Sequence, residues 1–288
     1  MVLRQSGISG QGRGFLMKFS VVIPSRNGLS ILRRFLPGII SETEQAGGLV
    51  IVVDDCSSDG TSAAVEKEFP SVRILERKGS PAFCSAVNLG MSNAEGDYLM
   101  LLNNDTSPEP GSFSMLLKRL QESEREVAAA VPSIPRPDGT DDSLFRWGFR
   151  RGLAVTMQGG SGEPYPSGAC ALWKRKAWEA LNGLDTRFAP IYWEDTDLGA
   201  RMTGAGYRMI IVEEAVVNHL HRATMGSSQA TMALRERNRF VFMEIHCSSL
   251  LMRISTALWL PLHFIKGGSA FREGFRNYLK WRRGRVEV

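Results

Sequence analysis

Cysteine and histidine are scarce in this 288-residue chain, with four of each. Cys56, Cys84, Cys170 and Cys247 form no CxxC pair, and their spacing suits neither a zinc site nor a disulfide framework. Reduced thiols in a cytoplasmic protein are the expectation. A long unbroken apolar run is also missing. The most apolar stretch, Leu250 to Ile265, is interrupted by Arg253, Pro261 and His263. It falls short of the roughly twenty apolar residues that a spanning helix needs, and reads as an interfacial or core helix. Residues 1–16 are rich in Gly, Ser and Gln and lack an apolar core of signal-peptide length. No internal repeat is visible. A general excess of one charge is absent too. The formal net charge is +5, but Lys266 to Arg285 hold seven basic residues against Glu273 alone. The rest is near neutral, which argues against a nucleic-acid partner.

What is present is alternation. Short apolar runs at Val21–Ile23, Leu49–Val53, Val72–Leu75, Tyr98–Leu102 and Val127–Val131 read as strands. Helical spacing falls between them at Ile31–Ile40, Thr61–Glu68, Phe83–Asn93 and from Pro110 through Gln121, with Pro37 a weak point in the first. This pitch predicts βαβ units and an α/β fold. Residues 133–168 are dominated by Pro, Gly and Asp and read as a long loop over a cleft. Helices are predicted at Trp173–Leu181, Glu194–Thr203 and Thr231–Ser248, with a strand at Arg208–Val212. The domain division is a loose extension over 1–16, one domain over 17–240, and an apolar then basic helical segment over 241–288.

Two of the strands run into acids. Leu49–Val53 continues as Asp54-Asp55-Cys56-Ser57-Ser58-Asp59-Gly60-Thr61, and Tyr98–Leu102 as Asn103-Asn104-Asp105-Thr106. Ligands of open α/β sheets bind at the carboxyl ends of strands. Two acid-tipped strands in one domain therefore predict one polar cleft holding a divalent cation and a phosphorylated ligand. Asp105 is the candidate metal ligand, because a cation beside a diphosphate needs only one or two carboxylates. Asp54 and Asp59 also suit turn and capping chemistry. His219 and His221 follow a strand and alternate onto one face beside the acids. Arg237-Asn238-Arg239 sits on the long helix and could meet a phosphate or stay solvated.

In its motifs the chain resembles family 2 glycosyltransferases, inverting enzymes of the GT-A fold, and within them bacterial rhamnosyltransferase-like enzymes of cell-envelope assembly. The resemblance runs from about Phe19 to Arg239. It rests on Val21-Val22-Ile23-Pro24-Ser25-Arg26-Asn27, on Val53 to Thr61, on Leu101 to Thr106 and on Ser167-Gly168-Ala169-Cys170. Gly183 to Phe188 and Tyr192-Trp193-Glu194-Asp195-Thr196-Asp197-Leu198 complete it. One departure stands out: Ser80-Pro81-Ala82-Phe83 occupies the place where the family often carries Asn-x-Gly-Phe.

The resemblance implies a mixed, mainly parallel sheet flanked by helices, a nucleotide-diphosphate sugar donor, Mg²⁺ or Mn²⁺, and a saccharide or lipid-linked acceptor. It implies nucleotide contacts from Pro24, Ser25, Arg26, Asp55, Lys78, Asn88 and Asn104, and metal contacts from Asp105 and His219. Gly168, Ala169 and Trp193 fall on the acceptor side. Asp195 is the implied general base, with Glu194 in reserve and Asp197 structural. The apolar helix and basic tail point to an anionic membrane surface, the inner face of the cytoplasmic membrane, against the alternative of a core helix and a solvated basic face. Two other classes compete. A sugar-nucleotide nucleotidyltransferase lacks support from Pro24-Ser25-Arg26-Asn27, which is not a Gly-rich phosphate loop. A non-catalytic binding module is at odds with the retention of Asp55, Asp105 and Asp195.

Overall fold

The computed structural model describes residues 19–220 and 228–284. The expected extension at 1–16, His221 and Arg285 lie outside them. The chain begins with β1 (Phe19–Ser25), α1 (Leu29–Gln45), β2 (Gly48–Asp55), α2 (Thr61–Glu68), β3 (Arg73–Arg77), α3 (Phe83–Asn93) and β4 (Tyr98–Leu102). It continues through β5 (Thr106–Pro108), α4 (Ser112–Gln121) and β6 (Val127–Ser133). Then come β7 (Phe145–Arg150), β8 (Leu153–Gln158), β9 (Glu163–Pro164), β10 (Cys170–Lys174), α5 (Arg175–Ala180), α6 (Glu194–Gly204) and β11 (Arg208–His219). The last elements are α7 (Gln229–His246), α8 (Leu250–Lys266) and α9 (Gly268–Gly284).

The main sheet has the order β3-β2-β1-β4-β10-β6-β11-β5. β1 is buried along its whole length and pairs in parallel with β2 on one side and β4 on the other. The chain moves outward from β1 to β3, then returns through α3 to β4. That reversal puts a crevice at the carboxyl ends of β1 and β4, the place where such sheets take ligands. β10 enters antiparallel between β4 and β6, with Cys170 opposite Leu102 and Leu172 opposite Ala130. The strands of the centre are apolar on both faces because helices cover both.

Most elements stand where the hydrophobic pattern puts them. Pro37 does not interrupt α1. Its missing hydrogen bond costs about 3 kcal/mol. Leu32, Leu36 and Ile39 on the same helix are fully buried, each contributing about 1.5–3 kcal/mol. Packing therefore outweighs the break. The 133–168 region differs from expectation. It is not a loop but contains the three-stranded sheet β8-β7-β9. The β7–β8 hairpin closes with Arg150 opposite Leu153, leaving Arg151-Gly152 as a two-residue turn. Both turn residues have positive φ, +48° and +76°, as a primed hairpin turn requires. Trp173 is a second correction. It lies on β10 and is fully buried, and the helix begins only at Arg175. β11 is longer than expected, with its register shifting between Val212 and Val216.

The expected boundary at 240/241 falls inside α7. Phe240 packs on Phe271, Phe275 and Tyr278 of α9, so the last helix joins the main core.

Candidate active site

A cleft of about 960 Å³ opens where β1 and β4 end. At one part of its wall lie Pro24, Ser25, Arg26 and Asp55. Ser25 and Asn104 are tied together, Asn104 Nδ2 donating to Ser25 Oγ at 2.9 Å. Asp55 is buried and doubly held: Arg77 pairs with Oδ1, and the Ala82 N–H donates to Oδ2 at 2.8 Å. The segment Ser80-Pro81-Ala82-Phe83 is thus fixed by Asp55 through a backbone N–H, a contact that any residue but proline at 82 can make. Asp54 turns away from the ligand space. Its carboxylate accepts from Ser57 N at 2.9 Å and from Ser62 Oγ at 2.7 Å. Asp59 caps α1 and α2 by accepting from Leu29 N and Thr61 N, both at 3.1 Å.

Two expected nucleotide contacts are not brought to the cleft. The Asn88 amide is spent on the backbone of Leu184, donating to its carbonyl at 2.7 Å and accepting from its N–H at 2.9 Å. It fastens α3 to the loop before α6. Lys78 is exposed and lies outside the cleft wall, and its neighbour Arg77 serves Asp55 instead.

After β4 the chain turns sharply, with Asn103 N donating to Ala169 O at 2.9 Å and Thr106 Oγ1 to Asn103 O at 2.7 Å. The β5–β11 pairing sets Thr106 opposite His219. This brings His219 Nε2 to 3.1 Å from Asp105 Oδ1. Asp142, in a short 3-10 turn after β6, stands 4.0 Å from His219 Nδ1 and is paired with Arg136 at 2.5 Å. Burial alone would push the His219 imidazole down. Hydrogen bonds and charge from Asp105 and Asp142 overcome it and raise the pKa to about 9. His219, Asn103 and Asn104 face the cleft, while Asp105 is buried just behind them.

Among the described residues no group of three or more His, Cys, Asp or Glu side chains forms a metal cage. The convergent pair Asp105 and His219 is nonetheless a fitting donor set. A carboxylate and an imidazole suit Mn²⁺ or a similar divalent ion, with diphosphate oxygens and water completing the shell.

The other chemical group stands at the start of α6. Tyr192 and Trp193 both have positive φ, +84° and +73°, uncommon for side chains of that bulk. Asn238 holds them there by donating its amide to the carbonyls of Phe188 at 2.7 Å and of Ile191 and Tyr192 at 2.9 Å. Arg237 supports the same loop through the carbonyls of Arg187 and Ala189. Those two residues therefore build the loop. The sharp turn presents Glu194 and Asp195 to the cleft. Asp195 Oδ1 accepts from Thr196 N at 2.7 Å and Oγ1 at 3.2 Å. Glu194 Oε2 is buried and has no hydrogen-bond partner among the described residues. Burial raises both carboxyls above their ordinary range, and the Asp195 charge adds to the rise at Glu194. Asp197 is structural, accepting from Arg201 and His246, each at 2.8 Å.

Gly168 and Ala169 form wall beside this pair. A methyl at Gly168 would sit 3.4 Å from Asp195 Oδ2, so glycine leaves the carboxylate open to an acceptor. Trp193 also lines the cleft, and packs against Phe242 with ring centroids 5.0 Å apart, so it supports the turn as well. Sequence reasoning missed Arg77 and Asp142, which act through distant partners, Asp55 and His219, and Arg136, which pairs with Asp142. It also missed Arg235 and Glu236, which line the cleft with Arg239 from successive turns of α7.

Residues 20–181 match the model of the family described as glycosyl transferase family 2. Over 74% of this chain and 79% of its own length, N-acetylglucosaminyl-diphospho-decaprenol L-rhamnosyltransferase of Mycobacterium tuberculosis is 29% identical. Two solved structures share the fold. GalNAc-T7 with UDP, GalNAc and Mn²⁺ superposes with a TM-score of 0.63 at 17% identity, over 80% of this chain and 48% of that one. The mannosyltransferase PcManGT of Pyrobaculum calidifontis, with GDP-Man and Mn²⁺, gives 0.57 at 18%, over 93% and 81%.

Proposed function

The chain belongs to glycosyl transferase family 2 and is a glycosyltransferase of the GT-A fold, and from that premise we propose an inverting, metal-dependent transfer of a sugar from a nucleotide-diphosphate donor to an acceptor hydroxyl. The observation that carries the reading is that one cleft meets both halves of such a chemistry: His219 lines it with Asp105 buried 3.1 Å behind, and Glu194 and Asp195 line it too. Pro24, Ser25, Arg26, Asn104 and Asp55 bind the nucleotide in this reading. Asp105 and His219 hold Mg²⁺ or Mn²⁺, which when bound offsets the charge gathering on the departing diphosphate.

Asp195 is the general base. The acceptor hydroxyl loses its proton to the carboxylate as its oxygen attacks the anomeric carbon from the face opposite the leaving group. In this reading Asp195, held by hydrogen bonds from Thr196, is the charged member of the acid pair, and Glu194, whose Oε2 has no partner among the described residues and whose carboxyl burial pushes up the further, is the protonated one. Pushing two neighbouring carboxyls apart in this way sets which one takes the proton. Gly168 and Ala169 give the acceptor its place.

The acceptor we propose is a saccharide or lipid-linked glycan of the cell envelope. The mycobacterial relative, named as a rhamnosyltransferase of a decaprenol-linked sugar, supports it. No helix among the described residues is long and apolar enough to cross a membrane. The protein works in this reading at the inner face of the cytoplasmic membrane, peripherally.

The test is Asp105→Asn. Nucleoside diphosphate binding is measured by calorimetry with and without Mn²⁺, and transfer by release of the nucleoside diphosphate. Loss of the Mn²⁺-dependent part of binding and of transfer, with unchanged circular dichroism, is expected. Normal turnover by the variant would end the metal assignment.

A further inference from the structure

We propose that α8 is a membrane-docking helix that seats the acceptor side of the cleft on an anionic lipid surface. This rests on the reading that the acceptor is lipid-linked, and adds the surface, its orientation and its chemistry.

No residue of α8 is buried. Leu250, Leu251, Leu258 and Ile265 are 73%, 80%, 74% and 78% exposed. With Ile254 and Leu262 they recur at helical spacing and make one stripe. Elsewhere among the described residues the exposed large hydrophobics are only Ile211, Leu220 and Met232, each less exposed than these four. The apolar exposure is therefore a patch, and a patch of this kind marks an interaction surface.

The opposite side of α8 has a built seat. The β7–β8 turn packs into it: Thr256 Oγ1 donates to Gly152 O at 2.9 Å, and His263 Nε2 lies 2.7 Å from Arg151 O. The Arg151 guanidinium lies 5.7 Å from the centre of the Trp259 ring. Gly152 permits the approach, since a methyl there would fall 2.8 Å from Ser255 O and 3.0 Å from Thr256 Cα. The same hairpin carries Phe145 and Thr156 into the cleft wall, and Gly267, directly after α8, is also part of that wall. Whatever covers the apolar stripe thus lies beside the cleft.

The charge identifies the occupant. Leu250 to Gly284 carry seven basic residues against Glu273. Arg272, Arg276, Lys280 and Arg283 are exposed at helical spacing on α9, whose other face, with Phe271 and Tyr278, is clamped against Phe240 of α7. A second copy of this chain would bring like charges together. An anionic bilayer satisfies both features, taking the leucines into the acyl boundary and the basic side chains among the headgroups. The helix lies along the surface rather than through it.

The test uses the full chain and vesicles of equal parts phosphatidylglycerol and phosphatidylcholine, beside vesicles of phosphatidylcholine alone. Bound protein is read by flotation. Binding to the anionic vesicles, weakening as salt rises, is expected. Leu251→Glu and Leu258→Glu should each reduce it about tenfold, the loss of one buried leucine. Arg272→Glu with Arg276→Glu should erase the preference for anionic over neutral lipid. No flotation at low salt, or undiminished flotation of the leucine variants, would overturn the proposal. So would a dimer in sedimentation that these variants convert to monomer, which would make the face a contact between copies. Mn²⁺-dependent nucleoside diphosphate binding by the same proteins separates the two readings. If it is missing while flotation is intact, the metal-dependent donor reading fails and the docking surface stands.

Discussion

Asp54-Asp55 and Glu194-Asp195 are both adjacent acid pairs at the edge of one cleft, and their surroundings are opposite. In the first pair each carboxylate has been given partners: Ser57 and Ser62 for Asp54, Arg77 and the Ala82 N–H for Asp55. In the second pair neither acid has an ion-pair partner among the described residues: the side chain donating to Asp195 is that of Thr196, and Glu194 Oε2 has no partner there. Burial instead pushes both carboxyls up. A satisfied pair serves shape and ligand recognition. A pair held in an unfavourable setting is poised to exchange a proton, which is where perturbed acids cluster.

The largest effect that would break this contrast is expected at Asp195→Asn. General-base assistance contributes roughly 10²–10⁴-fold, so kcat should fall by that order while the donor KM changes little. Steady-state release of the nucleoside diphosphate measures both. A loss confined to donor KM would make the second acid pair a recognition element like the first.

The two pairs were not equally legible in the sequence. That they mark one cleft was readable, because an apolar strand running into acids is a local signal. How each acid is satisfied was not, because the partners are distant: Arg77 reaches Asp55 across 22 positions, and Asn238 holds the Tyr192 backbone across 46. The same reason hid Asp142, which joins His219 only once β11 has paired with β5. Asn88 misled in the other direction. Its place in a motif suggested a ligand contact, while its amide closes two hydrogen bonds to Leu184, a loop nearly a hundred residues away. The β7–β8 hairpin was missed because Arg151-Gly152 is not one of the strong turn dipeptides and the flanking strands alternate weakly. The helices that matched, Thr61–Glu68 and Phe83–Asn93, are those whose pattern and ends are both local.

A smaller effect separates recognition from chemistry at the first pair. Asp55→Asn leaves an acceptor for the Ala82 N–H but removes the charge facing the largely buried Arg77 guanidinium. Breaking such a pair should cost about 2 kcal/mol of stability, read from denaturant unfolding. Donor KM should rise about tenfold, the loss of one charge-assisted contact, with kcat close to wild type. A fall in kcat with KM unchanged would place Asp55 among the reacting groups and dissolve the contrast.

The smallest effect is expected at Glu194→Gln, and its sign is specific. Burial, and the negative charge of Asp195 beside it, hold the Glu194 carboxyl well above its ordinary 4.5. A carboxyl raised on folding binds its proton more tightly in the native state than in the unfolded chain. Its contribution to stability is therefore complete below the unfolded value of about 4.5 and is lost as pH rises through the higher folded value. Glutamine has nearly the same shape and cannot ionise, so the variant escapes that loss. Thermal unfolding of the two proteins should nearly coincide at acid pH and diverge as pH rises, with the glutamine protein the more stable at neutral pH. Because a protonated Glu194 cannot take the acceptor's proton, kcat should move only a few-fold, far less than for Asp195→Asn. A stability difference that does not change with pH would mean that Glu194 titrates in its ordinary range. A fall in kcat as deep as that of Asp195→Asn would exchange their roles, making Glu194 the base and Asp195 its support.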